Sequence, residues 1–260
     1  MKILKWTFIG VMLLGLCTCG FVIWVLYGSK TSNPYNYATV GSIAAPWGYE
    51  RISGDDAAYT NYLRSIPLMG RGSKVQLYTG GNARLQSLNY AVVDLPLLSN
   101  AEQCADVCMR LRAEYLFQTG QYGRIHFQDV NGKTLNYSGG NSRQAFERYL
   151  RHLYEVASTF SLSCEMTTRR LADMQPGDVF VYPARFNQKY GHAIMVADVA
   201  VSKSGKKAFL LAEGNMPARN IHILRNFQNP FRSPWFMLDE TADNLILSVF
   251  HYKSTDLRHF

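Results

Sequence analysis

The chain reads as an α+β domain, with helices packed on an antiparallel sheet and one membrane-spanning helix ahead of them. Three observations predict this. Helix-period apolar patterns occupy 101–117 and 141–157. After Pro176-Gly177 the pattern changes to period two and to continuous apolar runs. Helical segments followed by consecutive strands, rather than strictly alternating with them, favour α+β over a parallel α/β sheet.

The first element is the stretch Trp6–Tyr27, which carries no charge. At about 1.5 Å rise per residue it is about 33 Å long, enough for a hydrocarbon core of about 30 Å. Lys2 and Lys5 precede it, which favours a cytoplasmic N-terminus and places the remainder outside the cytoplasm. Leu16-Cys17-Thr18-Cys19 has the look of a lipoprotein cleavage box, but Phe21–Leu26 continues the apolar run beyond it. A single uncleaved anchor over 1–28 is therefore expected. Residues 29–38, with Asn33-Pro34 and Asn36, read as a linker. Residues 39–260 show no second linker and no repeat, and form one domain on size grounds.

Asp55–Ser65 predicts a short helix stopped by Ile66-Pro67. Val75–Tyr78 alternates like a strand before the turn signal Gly80-Gly81-Asn82. Tyr90–Leu95 predicts a buried strand. Ala101–Phe117 is the clearest helix: Ser99 and Asn100 offer cap chemistry, Glu102 suits the first turn, and Gly120 lies past the end. Cys104, Cys108, Leu111 and Tyr115 form its buried stripe, with Asp106 and Arg110 expected as an exposed i,i+4 pair. Arg124–Asp129 and Lys133–Tyr137 flank Asn131-Gly132, a strong hairpin signal. Asn141-x-x-Gln144 resembles a capping box opening a helix whose apolar face is Phe146, Tyr149, Leu150, Leu153, Tyr154 and Ala157. Cys164 falls in a loop. Strands are expected at 178–182, 192–201, 207–213, 220–225 and 246–252, with Ser204-Gly205 turning the second into the third.

Composition narrows the function classes. The chain has 260 residues, 47% of them apolar and 13% aromatic, which supports a large core and excludes wholesale disorder. The formal charge of +8 favours anionic surfaces. Nucleic acid is not the expected partner, because there is no basic run, zinc finger or RNA-binding aromatic motif. Cys104 and Cys108, four apart on a helix, are too far apart for a disulfide.

Nucleophilic chemistry is the one constellation the order of elements offers. A thiolate is the reactive form of cysteine, and a helix N-terminus favours it. Cys104 is expected about one turn into its helix. His192 opens a buried strand, where it can serve as general base. Glu213 or Asn215, after the following strand, is placed to orient the imidazole. Gln103 or a helix N–H would hold an oxyanion. The competing reading gives Cys104 to the buried stripe as a small hydrophobe and His192 to a backbone carbonyl. His126, His192, His222, Asp178 and Glu213 are isolated in sequence, and no metal or cofactor motif is present. There is no Gly-x-Ser-x-Gly elbow, and Tyr137–Asn141 lacks the lysine of a phosphate loop.

Four stretches carry a resemblance: Gln103-Cys104-Ala105-Asp106 with Arg110–Leu116; Ile125-His126-Phe127; Gly177–Phe180 with Gly191-His192-Ala193 through Ala200; and Leu210–Ala212 with Met216-Pro217-Ala218 and Ile221-His222. Together they resemble a bacterial family known as domain of unknown function 4846. A looser similarity is to the NlpC/P60 branch of papain-like cysteine peptidases. Cys104 at a helix start, Gly177-Asp178 and Gly191-His192 occur in that branch's order. The usual Asp-Cys-Ser/Gly is Gln103-Cys104-Ala105 here, and a hairpin and second helix intervene before Gly177. These resemblances imply a papain-like domain facing the periplasm from the inner membrane of a bacterium. The implied activity is that of a cysteine amidase or peptidase on cell-wall peptides, with peptidoglycan as partner. The alternative is a non-catalytic envelope binding or structural module on the same fold.

Overall fold

The computed structural model describes residues 31–185 and 189–260, together with Met12. The expected anchor over 1–28 lies outside this set, apart from Met12. Among the described residues no helix is long and apolar enough to cross a membrane. Residues 31–38, read as linker, pack against the domain: Asn33 is fully buried, and its side-chain amide donates to the carbonyls of Tyr37 and Met69.

The elements run in the order β1 (Tyr49–Arg51), α1 (Ala57–Ser65), β2 (Asn89–Val92), α2 (Cys104–Gln118), β3 (His126–Gln128), β4 (Thr134–Asn136), α3 (Arg143–Val156), α4 (Thr159–Glu165), β5 (Thr167–Thr168), β6 (Val179–Tyr182), β7 (His192–Ser202), β8 (Lys207–Glu213), β9 (His222–Leu224), β10 (Phe236–Met237), β11 (Asn244–Leu247), β12 (Phe250–Lys253) and β13 (Leu257–His259). This is an α+β architecture built on a nine-stranded sheet of order β2-β9-β8-β7-β6-β13-β5, with β1 paired to β7 and β10 to β8. Every pairing is antiparallel. The run β6-β7-β8-β9 is the expected meander.

The sheet is covered on both faces, which explains why its central strands read as continuous apolar runs. Val179, Val181, Ala193, Met195, Leu210 and Ala212 share one core with the helices. The alternate residues Phe180, Ile194, Val196 and Leu211 share a second core with Leu245, Leu247 and Tyr252 of the β11–β12 hairpin. A bulge between Val196 and Asp198 shifts the register of β7 against β8. Asp198 is there buried against Arg51 and Arg64, at 2.6 and 2.7 Å.

Five local expectations need correction. The helix read as 101–117 begins at Cys104, because Glu102 is committed elsewhere: its carboxylate accepts the Leu98 N–H and pairs with Arg110. Asp106 and Arg110 are not an exposed pair. Both are buried, since α2 packs against sheet and helices on all sides. Val75–Tyr78 forms only isolated bridges, as the Gln86 side chain takes both the N–H and the carbonyl of Val75. The strand read at 246–252 is part of a hairpin that turns at Ser248, whose φ of 59° carries no glycine or asparagine signal. Cys164 lies in α4, exposed, and not in a loop.

Candidate active site

Cys104 is the first residue of α2, one turn closer to the helix N-terminus than its sequence reading. The start of the helix is held by a carboxylate: Asp106 Oδ2 accepts the Gln103 N–H at 2.8 Å. Gly214, just past β8, lies tightly against this end. A Cβ there would stand 2.5 Å from Val107 Cγ2 and 3.2 Å from the Gln103 carbonyl oxygen. A bare backbone is what lets the sheet approach the cysteine so closely.

His192 opens β7 opposite Tyr182 of β6. The glycine before it has the same function as Gly214. A Cβ on Gly191 would meet the Tyr182 carbonyl oxygen at 2.3 Å and Thr159 Oγ1 at 2.4 Å. The imidazole is buried and stacked on Phe250, with ring centroids 3.6 Å apart and planes 16° from parallel. The hairpin that was read as a single strand therefore fixes the ring plane.

Glu213 closes β8 and is 2% exposed. Its Oε2 lies 3.3 Å from His192 Nε2, and its Oε1 lies 3.5 Å from His222 Nε2. His222, opposite Glu213 in the β8–β9 register, is oriented in turn by Nδ1 at 3.0 Å from the Asn220 carbonyl. Asn215 is not at the imidazole: its Oδ1 accepts the Met216 N–H at 2.7 Å, and its Nδ2 lies 3.5 Å from Glu213 Oε1.

The electrostatics follow from this geometry. Burial pushes the His192 imidazolium down, but hydrogen bonding and charge from Cys104 and Glu213 outweigh it. The net effect raises His192 from 6.5 to about 9. Burial pushes Glu213 up, and the two histidines outweigh it, lowering the carboxyl from 4.5 to about 2. A carboxylate held charged between two imidazoles keeps His192 in its protonated, donor form.

Gln103, Cys104 and Gly191 line a cleft of about 190 Å³, with Cys104 half-buried and His192, the residue after Gly191, buried. Cys108, a turn further in, is fully buried and donates to the Cys104 carbonyl at 3.5 Å; burial pushes its thiol well above the usual range. The structure thus brings together Cys104, His192 and Glu213, with Gln103 on the same cleft, and leaves Asn215 beside Glu213. His222 enters the sequence reading as a scattered metal-ligand candidate and within the family-like stretch Ile221-His222, never as a partner of Glu213. Its partnership with Glu213 becomes visible once the two strands are placed in register. His126 and Asp178 lie apart from it: His126 faces Glu165 and Asp178 faces Arg169. Among the described residues no group of three or more His, Cys, Asp or Glu is arranged to hold a metal ion.

Comparison with known proteins returns no matching curated protein and no matching solved structure. The family model described as "Domain of unknown function (4846)" matches residues 40–139 and 136–259. These two segments take in Cys104 and Gln103 on one side and His192, Glu213 and His222 on the other, and the chain belongs to this family.

Proposed function

We propose that the chain is a cysteine hydrolase that cleaves amide bonds in cell-wall peptides, with a papain-like arrangement of helix and sheet. The observation that carries this reading is the meeting of Cys104, at a helix N-terminus and open to a cleft, with a buried His192 held by Glu213. The order of cysteine-bearing helix, histidine-opened strand and orienting residue on the next strand is also that of the NlpC/P60 enzymes.

In this mechanism the Cys104 thiolate attacks the amide carbonyl carbon, and the oxyanion is met by the Cys104 backbone N–H and the Gln103 side-chain amide. The C–N bond breaks as the His192 imidazolium gives its proton to the leaving amine. A thioester remains. Water then attacks it, His192 takes the water's proton, and the acid product leaves with regeneration of the thiolate. Glu213 stays ionised throughout and orients the ring, as the carboxylate does in a Ser-His-Asp triad. Residues 6–27 would anchor this domain to the inner membrane, facing the periplasm.

The test is digestion of purified peptidoglycan by the full-length chain and by Cys104→Ala, with soluble products read by mass spectrometry. Loss of about 10³-fold or more in rate is expected for the variant. Equal activity of the two proteins removes Cys104 from the reaction. Retained binding of peptidoglycan by both, with cleavage by neither, makes the domain a binding module.

A further inference from the structure

A second cleft, of about 240 Å³, lies at Thr31, with Ser73, Lys74, Ser87 and Asn89 among its lining residues. It is separate from the site above: His222 opens β9 beside Glu213, and Arg225 follows the other end of that strand. Arg225 is 5% exposed and stands behind the lining. Its Nε donates to the Ser87 carbonyl at 3.2 Å, and its Nη2 donates to those of Thr31 and Asn89 at 3.3 and 3.0 Å. The Tyr90 ring centroid is 5.4 Å away. Among the described residues no carboxylate pairs with this guanidinium, and burial pulls its pKa below the usual value with Tyr90 opposing. A buried cation without a counter-ion is costly. This one is a single hydrogen bond away from Thr31, Ser87 and Asn89 of the cleft wall.

The exposed rim has the same sign. From Ala57 to Val93 the chain carries Arg64, Arg71, Lys74 and Arg84 but no Asp or Glu. Arg64 is paired with Asp198; the other three are exposed. The Val75 carbonyl accepts the Ala83 N–H at 2.9 Å, so Lys74 and Arg84 are the next residues out on either side of that bond. The Gly72 N–H donates to the Ser32 carbonyl at 2.9 Å, which brings this basic turn against Thr31 and Ser32. Leu85 follows Arg84. It is 65% exposed, with a φ of 58°, and presents an apolar side chain beside the basic ones. The uncharged stretch Trp6–Tyr27 ends four residues before Thr31, a reach of at most about 14 Å.

We propose that this cleft binds the phosphate of an anionic phospholipid, in the membrane that the stretch Trp6–Tyr27 enters. The proposal goes beyond the hydrolase chemistry and rests only on the anchor read over that stretch. A phosphate oxygen accepts charge-assisted bonds from the Lys74 ammonium and the Arg84 guanidinium, and Thr31 and Ser87 are hydroxyl donors in the same lining. The negative charge offsets that of Arg225 behind the wall. Basic side chains next to a membrane segment are drawn to anionic headgroups at short range. A lipid fits better than a soluble phosphate because the cleft stands beside the apolar stretch and Leu85 gives its rim an apolar contact for the acyl chains.

The experiment titrates the full-length chain in neutral detergent with dioleoyl phosphatidylglycerol and with dioleoylglycerol, which has the same acyl chains and no phosphate. Native mass spectrometry reads the bound fraction. Wild type is expected to bind the phospholipid at least about 10-fold more tightly, and Lys74→Gln combined with Arg84→Gln should bring that ratio below about 3-fold. Both side chains are exposed, so the fold tolerates their replacement; Arg225 is left intact because it also holds the Thr31, Ser87 and Asn89 carbonyls. Lys203→Gln combined with Lys206→Gln, the same loss of charge at the exposed β7–β8 turn, should leave the ratio unchanged. Equal binding of the two lipids by wild type, or an equal fall in both double variants, overturns the proposal. So does displacement of the phospholipid by equimolar glycerol 3-phosphate, which makes the cleft a site for a soluble phosphate ester. Alkaline carbonate extraction of membranes tests the anchor separately. Release of the chain into the supernatant removes the anchor reading, and the binding ratio still decides the cleft.

Discussion

At the scale of single residues, the site depends on how Glu213 divides its charge. One oxygen faces His192 and the other faces His222, so each imidazole lowers the carboxyl and the carboxylate raises His192. Replacing Glu213 by Gln removes that charge and leaves Cys104 alone to oppose the effect of burial on the imidazolium. The His192 pKa, followed by NMR of the ring protons, is expected to fall from about 9 toward 6.5, and the alkaline limb of any pH–rate profile should move down with it. An unchanged His192 titration would mean that Glu213 does not act on the ring. The candidacy of Cys104 and His192 was legible, since one lies at a helix start and the other at a strand start. The choice between Glu213 and Asn215 was not. Two residues apart after a strand, they differ only in which one still follows the pleat.

At the scale of elements, the site depends on two close approaches of bare backbone. Gly191 sits against Tyr182 and Thr159, and Gly214 against Val107. Gly191→Ala forces a methyl group into a space where backbone stands 2.3 Å away, so either β6 or β7 must shift. We expect a loss of about 1–3 kcal/mol in stability, as for overpacking elsewhere. Activity should fall further than the folded fraction accounts for, because His192 is the next residue. Denaturant unfolding and a rate assay on the same preparation separate the two effects; full activity in a stable Gly191→Ala protein would show that the approach is not needed. The helices and the meander were readable because their periods are local. The β11–β12 hairpin was not, because its turn at Ser248 lacks the usual residues. With it went the stacking of Phe250 on His192, a contact across 58 residues that no periodicity encodes.

At the scale of the whole molecule, buried ionisable groups set the response to pH. Glu213, lowered to about 2, contributes stability that is present above about 4.5 and is lost as pH falls toward 2. His192, raised to about 9, contributes stability that is present below about 6.5 and is lost as pH rises through 9. Asp106 and Asp178 are carboxyls raised by burial to about 8 and about 7. They favour the folded state while protonated and lose that contribution as pH climbs from about 3.8 through those values. Together the four place greatest stability near pH 4, with a decline from there toward pH 9. Thermal unfolding across pH 3–10 measures it. A Tm that rises steadily from pH 6 to 9 would contradict the burial of these groups.

By itself the sequence determined the α+β class, the approximate place of the main helices and of the central strands, and the candidacy of Cys104 and His192. These rest on hydrophobic period, turn residues and residue chemistry, all local properties. Only the tertiary structure decided where α2 begins, that Asp106 and Arg110 are buried, and that Glu213 stands between two histidines. Those outcomes depend on strand register and on which surfaces cover one another, and a shift of one residue in β8 would turn Glu213 to the opposite face.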